Sequence, residues 1–226
     1  MISYHFYASP DASEPPSRWS YSFFGQADHF LDVVRYIEAI RQRLSPQTQT
    51  TIDELGAILP QDNVMPYRPI PDSYWNLCAA MYVYLYAHLA DLGIDVAGES
   101  QLVGYPTQFP SVSMVDWNTG QPNARYWALK LIHDHFGPGD KLVEAHTGLS
   151  GVYAKAFITP NNEHKILLIN KRDRLATVSL AGTSGGHVEY VDPTTGENPP
   201  GNVRLPGDEI NLNGYSVAVV TLPVRQ

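Results

Sequence analysis

Gln49-Thr50-Thr51-Ile52-Asp53-Glu54-Leu55, with Gly56 after it, reads as a strand that ends in charge. Two threonines and Ile52 favour extended backbone, because β-branched side chains suit a pleated surface. Two carboxylates follow, then Leu55 and a glycine. What flanks this run decides whether it is a lone strand or one unit of a larger sheet.

Upstream, residues 2–7 alternate, with Ser3, His5 and Tyr7 on one face and Ile2, Tyr4 and Phe6 on the other. That is strand periodicity. A loop rich in Pro, Ser and Asp runs to about Tyr21, and a helix is predicted over residues 25–44. There Phe30, Val33, Val34, Ile37, Ile40 and Leu44 fall at helical spacing, with Arg35, Glu38, Arg41 and Arg43 expected on the outer face. Ser45-Pro46 ends it. Downstream come a loop over 56–70, a helix over 71–92 closed by Gly93, and a strand over 94–101. A long loop through Tyr105, Phe109, Asp116 and Trp117 leads to a helix over 123–136, stopped by Gly137-Pro138-Gly139. The order β-α-β-α-β-α implies parallel strands joined by helical crossovers. Three such units leave at least one sheet edge open.

From Asp140 the pattern changes. Short strands are predicted at 141–145, 152–159, 165–170, 176–180, 187–191 and 215–222, separated by turn signals such as Pro160-Asn161-Asn162. This spacing indicates an antiparallel β-sandwich. The expected domains are therefore residues 1–146, α/β, and residues 147–226, all-β, meeting at Thr147-Gly148.

Composition narrows the function classes. The 226 residues carry 15 Lys and Arg against 23 Asp and Glu, a net charge of −8. Basic pairs such as Lys171-Arg172 are scattered, which argues against a nucleic-acid partner. Only 17% of residues are charged and 14 are tyrosine, a composition that suits sugar-handling proteins and tightly packed cores alike. Cys78 stands alone in an apolar run, so it forms no intramolecular disulfide and reads as a buried thiol. No stretch is apolar enough for a membrane span, and no signal peptide is visible. Met1 is followed at once by the first strand, as expected of a truncated chain or a late start. His133 and His135 are spaced too closely to share a helix face, and no His/Cys/Asp cluster has metal-ligand spacing. There is no Gly-rich phosphate loop and no Gly-X-Ser-X-Gly elbow, so no cofactor is expected.

Each of the three leading strands ends in polar residues: His5 and Tyr7, then Asp53 and Glu54, then Glu99, Ser100 and Gln101, with Asp116 and Trp117 further along the last loop. Thr51-Ile52-Asp53-Glu54-Leu55-Gly56 resembles the end of barrel strand seven in clan A glycoside hydrolases, where a Thr-Glu-X-Gly-like sequence carries the catalytic nucleophile. Ser3-Tyr4-His5-Phe6-Tyr7 is similar to strand six of that clan, where a His-X-Tyr pattern recurs and the Tyr hydrogen-bonds the nucleophile. The whole arrangement resembles the C-terminal half of a retaining enzyme of family 39, or of the neighbouring families 79, 30 and 51. The resemblance implies a partial (β/α)8 TIM barrel, equivalent to strands six to eight, followed by the β-sandwich. It implies Glu54 as nucleophile, with His5 and Tyr7 as hydrogen-bonding neighbours, and carbohydrate as the ligand. The parent families act mostly outside the cytoplasm.

The match has a gap. The acid/base Glu of clan A lies at the end of strand four, usually after an Asn, and that strand has no counterpart here. Asn162-Glu163 falls in a sandwich turn. Glu99 could stand in only by an unusual arrangement, and Gly98-Glu99-Ser100 could equally open a loop. Trp117 offers a ring face for a pyranose or packs beneath its loop. Tyr82, Tyr84 and Tyr86, two apart on a helix, point different ways and read as packing. Glu54 itself could be a structural carboxylate. Three hypotheses remain: a glycosidase or part of one, a non-catalytic carbohydrate-binding or scaffold protein, and a homo-oligomer in which another copy covers the open sheet edge.

Overall fold

A computed structural model describes residues 1–66, 68–104 and 108–223. Tyr105, expected in the long loop, lies outside the described residues. Helix and sheet are mixed, and the chain divides into two compact units. One comprises Met1–Ile70 with Tyr84–Gln121, and the other Pro71–Val83 with Pro122–Gln226.

In the first unit, β1 (Ile2–Ala8), β2 (Thr50–Ala57) and β3 (Val96–Glu99) form a three-stranded parallel sheet in that order. The helix α1 (Trp19–Leu44) joins β1 to β2. It begins at Trp19, ahead of the expected residue 25. Trp19, Phe23, Phe24 and Ala27 are buried and carry its apolar face back to a short 3-10 turn at Pro16–Arg18. Phe30 stacks on Phe6 at 4.6 Å between centroids and meets Tyr4 edge-on at 6.1 Å. The Tyr4 and Phe6 side of β1 is thus the helix side.

Glu38, expected on the outer face of this helix, is instead buried. Its Oε1 accepts the Thr50 hydroxyl at 2.5 Å and its Oε2 accepts Arg41 Nε at 2.7 Å. Arg41 Nη1 also donates to the carbonyls of Pro46 and Thr48, at 3.1 and 2.9 Å. A carboxylate this enclosed persists because it is paired and hydrogen-bonded. The cluster fastens the end of α1 to the start of β2.

The helix α2 (Asp72–Asp91) contributes residues to both units and is buried from Leu77 to Leu85. Its tyrosine hydroxyls are used: Tyr84 donates to Asp28 Oδ1 at 2.5 Å and Tyr86 to the Ala97 carbonyl at 3.2 Å.

The second unit holds α3 (Ala124–His135), capped by the Asn123 side chain, which accepts the Arg125 amide at 3.0 Å. Then follow β4 (Lys141–Val143), β5 (Val152–Ile158), β6 (His164–Asn170), β7 (Ala176–Ser179), β8 (His187–Val191), β9 (Gly201–Arg204), β10 (Glu209–Leu212) and β11 (Val217–Thr221). Six of these pair antiparallel in the order β4-β5-β6-β11-β8-β9, and β7 pairs antiparallel with β10. Val178, Ile210 and Leu212 from the small sheet pack in one apolar cluster with Val152, Leu168, Val188, Ala218 and Val220 from the large one. The sequence reading lacked β9 and β10. Gly-Asn-Val-Arg shows no apolar alternation, and Glu-Ile-Asn-Leu alternates over only four residues.

Candidate functional site

The parallel ladder between β1 and β2 slips once. Tyr4 is paired with Ile52, but His5 is paired with Glu54, so Asp53 is an extra residue on β2. The β2–β3 ladder slips over the same stretch, with Ile52 opposite Ala97 and Leu55 opposite Glu99. Asp53 therefore forms a β-bulge, which resets which residues share a face. Ile52 and Leu55, three apart, are both fully buried, whereas Glu54 is turned to the other side with its register partner His5. Ser3, His5, Tyr7, Thr51, Glu54 and Gly56 line that face, as expected when registered residues of parallel neighbours point alike.

On this face Tyr7 Oη donates to Glu54 Oε2 at 2.6 Å and shares a second short hydrogen bond, 2.5 Å, with Ser100 Oγ. His5 Nδ1 is 3.6 Å from the same Oε2. Oε1 has no hydrogen-bond partner among the described residues. The side chains of His5 and Glu54 are 50% and 43% exposed, so the carboxylate is held yet open to solvent. Burial pushes the Tyr7 phenol up to about 12, reinforced by its bond to Glu54 and by the charges of Glu54 and Glu99, with Ser100 opposing.

Two glycines make the geometry possible. A Cβ on Gly56 would collide with the Tyr7 ring, which lies flush against it. A Cβ on Gly98 would stand 2.7 Å from the Asp53 carbonyl, so β3 passes the bulge only as glycine. The bulged Asp53 is itself held: Ser3 Oγ donates to its Oδ2, and Thr51 Oγ1 to its Oδ1 at 2.7 Å. These hydroxyls, Ser3 foremost, keep its carboxyl below the usual range, with His5 adding to the effect.

The structure thus brings His5, Tyr7 and Glu54 together and adds Ser100, which the sequence reading named at a strand end without assigning it a role. The remaining candidates lie elsewhere. Glu99 is in register with the buried Leu55, on the face opposite Glu54, and both its carboxylate oxygens are shielded from solvent. Its charge, after burial, helps to raise the Tyr86 phenol. Asp116 Oδ1 accepts the amides of Asn118 and Thr119, at 2.9 and 2.8 Å, and the Thr119 hydroxyl at 2.9 Å. Those bonds, Thr119 first, hold its carboxyl low. They cap its own turn. Trp117 is 55% exposed. No described bond joins Asp116 or Trp117 to the Glu54 cluster. Among the described residues there is no group of three or more His, Cys, Asp or Glu arranged to hold a metal ion, and no helix is long and apolar enough to cross a membrane.

Chemically, the cluster is an accessible carboxylate with one oxygen anchored by a phenol and the other open. Such a group can act as a nucleophile toward carbon or as a general base.

No known family profile matches the sequence, and no characterised protein matches it by sequence. Solved structures do match it in fold. An arabinofuranosidase superposes with a TM-score of 0.66 at 15% identity, covering 98% of this chain and 52% of its own. The family 51 arabinofuranosidase from Xanthomonas axonopodis pv. citri gives 0.64, also at 15% identity and with coverages of 98% and 52%. A family 86 β-porphyranase from Bacteroides plebeius gives 0.60 at 15% identity, covering 98% of this chain and 41% of its own. The chain spans about half the length of these glycoside hydrolases. At such identities the likeness is one of fold.

Proposed function

We propose that residues 1–146 are the last three β/α units, strands six to eight, of a (β/α)8 barrel, that residues 147–226 are its β-sandwich, and that Glu54 is the nucleophile of a retaining glycosidase site. The observation that carries the reading is the Tyr7–Glu54–His5 cluster at the ends of adjacent parallel strands, where active sites of barrel enzymes are built. The likeness to glycoside hydrolases supports it at the level of fold.

In the proposed reaction an oxygen of Glu54 attacks the anomeric carbon as the bond to the leaving oxygen breaks. The leaving oxygen takes a proton from a second carboxyl about 5–5.5 Å from the first. Water, deprotonated by that second group, then releases the sugar and restores Glu54. Glu99 faces away from Glu54 in the register, and the proton donor is assigned to a strand-four unit that is not among these three units. The substrate class is carbohydrate, and arabinofuranosides and xylosides head the panel to try, since arabinofuranosidases and xylanases share the fold.

The test is hydrolysis of dinitrophenyl glycosides, whose leaving group departs without a proton donor, with azide supplied to release the sugar in place of base-activated water and a 2-deoxy-2-fluoro dinitrophenyl glycoside to trap the glycosyl-enzyme. Turnover that falls on the order of 10⁴-fold or more in Glu54→Gln, with the trapped sugar mapped to Glu54, is expected. Turnover that survives the substitution would remove Glu54 from the mechanism. The placement of Glu99 favours one second reading, a non-catalytic carbohydrate-binding protein. Sugar binding without turnover, unchanged in Glu54→Gln, would establish it.

A further inference from the structure

We propose that Ser100 is a positioning residue for Glu54, acting through Tyr7: its hydroxyl donates to the Tyr7 phenol oxygen and so turns the single phenolic proton toward the carboxylate. The functional meaning of this role rests on the reading of Glu54 as nucleophile, but the hydrogen-bond order does not.

Tyr7 Oη has two close neighbours, Glu54 Oε2 at 2.6 Å and Ser100 Oγ at 2.5 Å, and one proton to give. An ionised carboxylate only accepts, whereas a serine hydroxyl can donate. Were Tyr7 to donate to Ser100, its lone pairs would face the carboxylate at hydrogen-bonding distance. The one order that satisfies all three groups is Ser100 to Tyr7 to Glu54. Donation into the phenol oxygen polarises its O–H and strengthens the bond to the charged acceptor.

The geometry leaves the chain little freedom. Ser100 is buried, its amide donates to the Leu55 carbonyl at 3.0 Å, and the backbone turns away at once through Gln101 at φ 55°. The Tyr7 ring lies flush on Gly56. Each of the three parallel strands thus supplies one member of the relay: Tyr7 from β1, Glu54 from β2 and Ser100 just beyond β3. The other titratable groups bearing on it are His5, across Oε2, Asp53 beside Glu54, and Glu99 through its field at Tyr7.

The test needs no turnover. In protein labelled with ¹³C at the glutamate side-chain carboxyls, the Glu54 signal is assigned by its loss in Glu54→Gln, and its chemical shift is recorded at one fixed pH in wild type, Tyr7→Phe, Ser100→Ala, Ser100→Thr and the Tyr7→Phe/Ser100→Ala double variant. Tyr7→Phe removes the charge-assisted bond and is expected to displace the signal most. Ser100→Ala should displace it in the same direction by roughly 10–30% of that, through loss of polarisation. Ser100→Thr, which keeps the hydroxyl, should hold the wild-type position. The double variant should match Tyr7→Phe alone, the mark of an effect routed through Tyr7. A wild-type position in Ser100→Ala, or displacements that add in the double variant, overturns the proposal. If Ser100→Ala does not fold, Ser100→Cys, a weak donor of similar shape, takes its place with the same expected shift. A relay that behaves as expected in a protein inert toward every glycoside would sink the glycosidase reading and leave the positioning role standing.

Discussion

The two oxygens of the Glu54 carboxylate have different surroundings. Oε2 accepts the Tyr7 O–H and faces His5, which fixes the plane of the group, and Oε1 has no hydrogen-bond partner among the described residues. His5, Tyr7 and Glu54 were legible because strand alternation assigns residues 3, 5 and 7 to one face and because Glu54 sits in a strand-end motif. Ser100 was not, since one serine at a strand end carries no spacing signal and its role comes from a neighbour 93 positions away. The phenols offer a direct check at this scale. Tyr7 and Tyr4 are both pushed up to about 12, each by burial first. The Tyr4 shift is reinforced by the Glu38 charge. An unfolded chain loses these protons near pH 10 and the folded chain keeps them, so the folded state binds more protons between the two values. Their contribution to stability is therefore fully present below about pH 10 and is lost as pH rises to about 12. Urea midpoints measured across that window should fall, and fall less steeply in Tyr7→Phe. Tyrosinate absorbance showing that Tyr7 ionises near 10 would contradict the half-buried, Glu54-bonded phenol.

At the scale of the element, the bulge on β2 is the feature that makes a site out of a strand. Without the bulge the strand would alternate strictly, and Ile52 and Glu54, two apart, would share a face. The bulge sends Ile52 and Leu55 into the core and Glu54 the other way. Sequence periodicity could not reveal it, because Thr-Thr-Ile-Asp-Glu-Leu reads as one acceptable strand in either register, and the slip is set by Gly98 and by the Ser3 and Thr51 hydroxyls on Asp53. The Glu38 cluster was hidden for a related reason: a helix wheel sorts by polarity, whereas this carboxylate is buried by pairing with Arg41 and Thr50. Gly56 tests how tightly the element is built. Gly56→Ala puts a methyl into the Tyr7 ring, and overpacking of this kind costs about 1–3 kcal/mol. Urea denaturation should show that loss, with the Tyr7 ionisation moving down toward 10 as the ring is displaced from Glu54. An alanine variant of unchanged stability and unchanged Tyr7 titration would mean that the ring has room the structure does not show.

For the whole molecule, the alternation of strand and helix followed by short strands was legible except for β9 and β10. What periodicity alone could not tell is which faces stay uncovered. In the three-stranded sheet β1 pairs only with β2 among the described residues, leaving the groups of its other edge available. Beside it α1 displays Tyr21 and Val33, at 59% and 41% exposed, along a groove that also includes Phe6, Gly25, His29 and Phe30, and Tyr36 on the same helix is 69% exposed. An open strand edge next to exposed apolar side chains is a template for association. A second copy is the proposed cover, and charge sets its condition: two chains of net charge −8 repel each other, and salt screens that repulsion. Light scattering on a size-exclusion column should therefore give a dimer or larger at micromolar concentration, with the fraction rising between low and moderate salt. Val33→Glu, which places a charge in the groove without touching Glu54 or its partners, should return the protein to monomer. A species that stays monomeric at every concentration and salt would mean that this face is covered by something other than another copy. In that case the groove along α1, with its mix of aromatic rings and the polar Gln26 and His29, becomes the surface to probe with the carbohydrate panel.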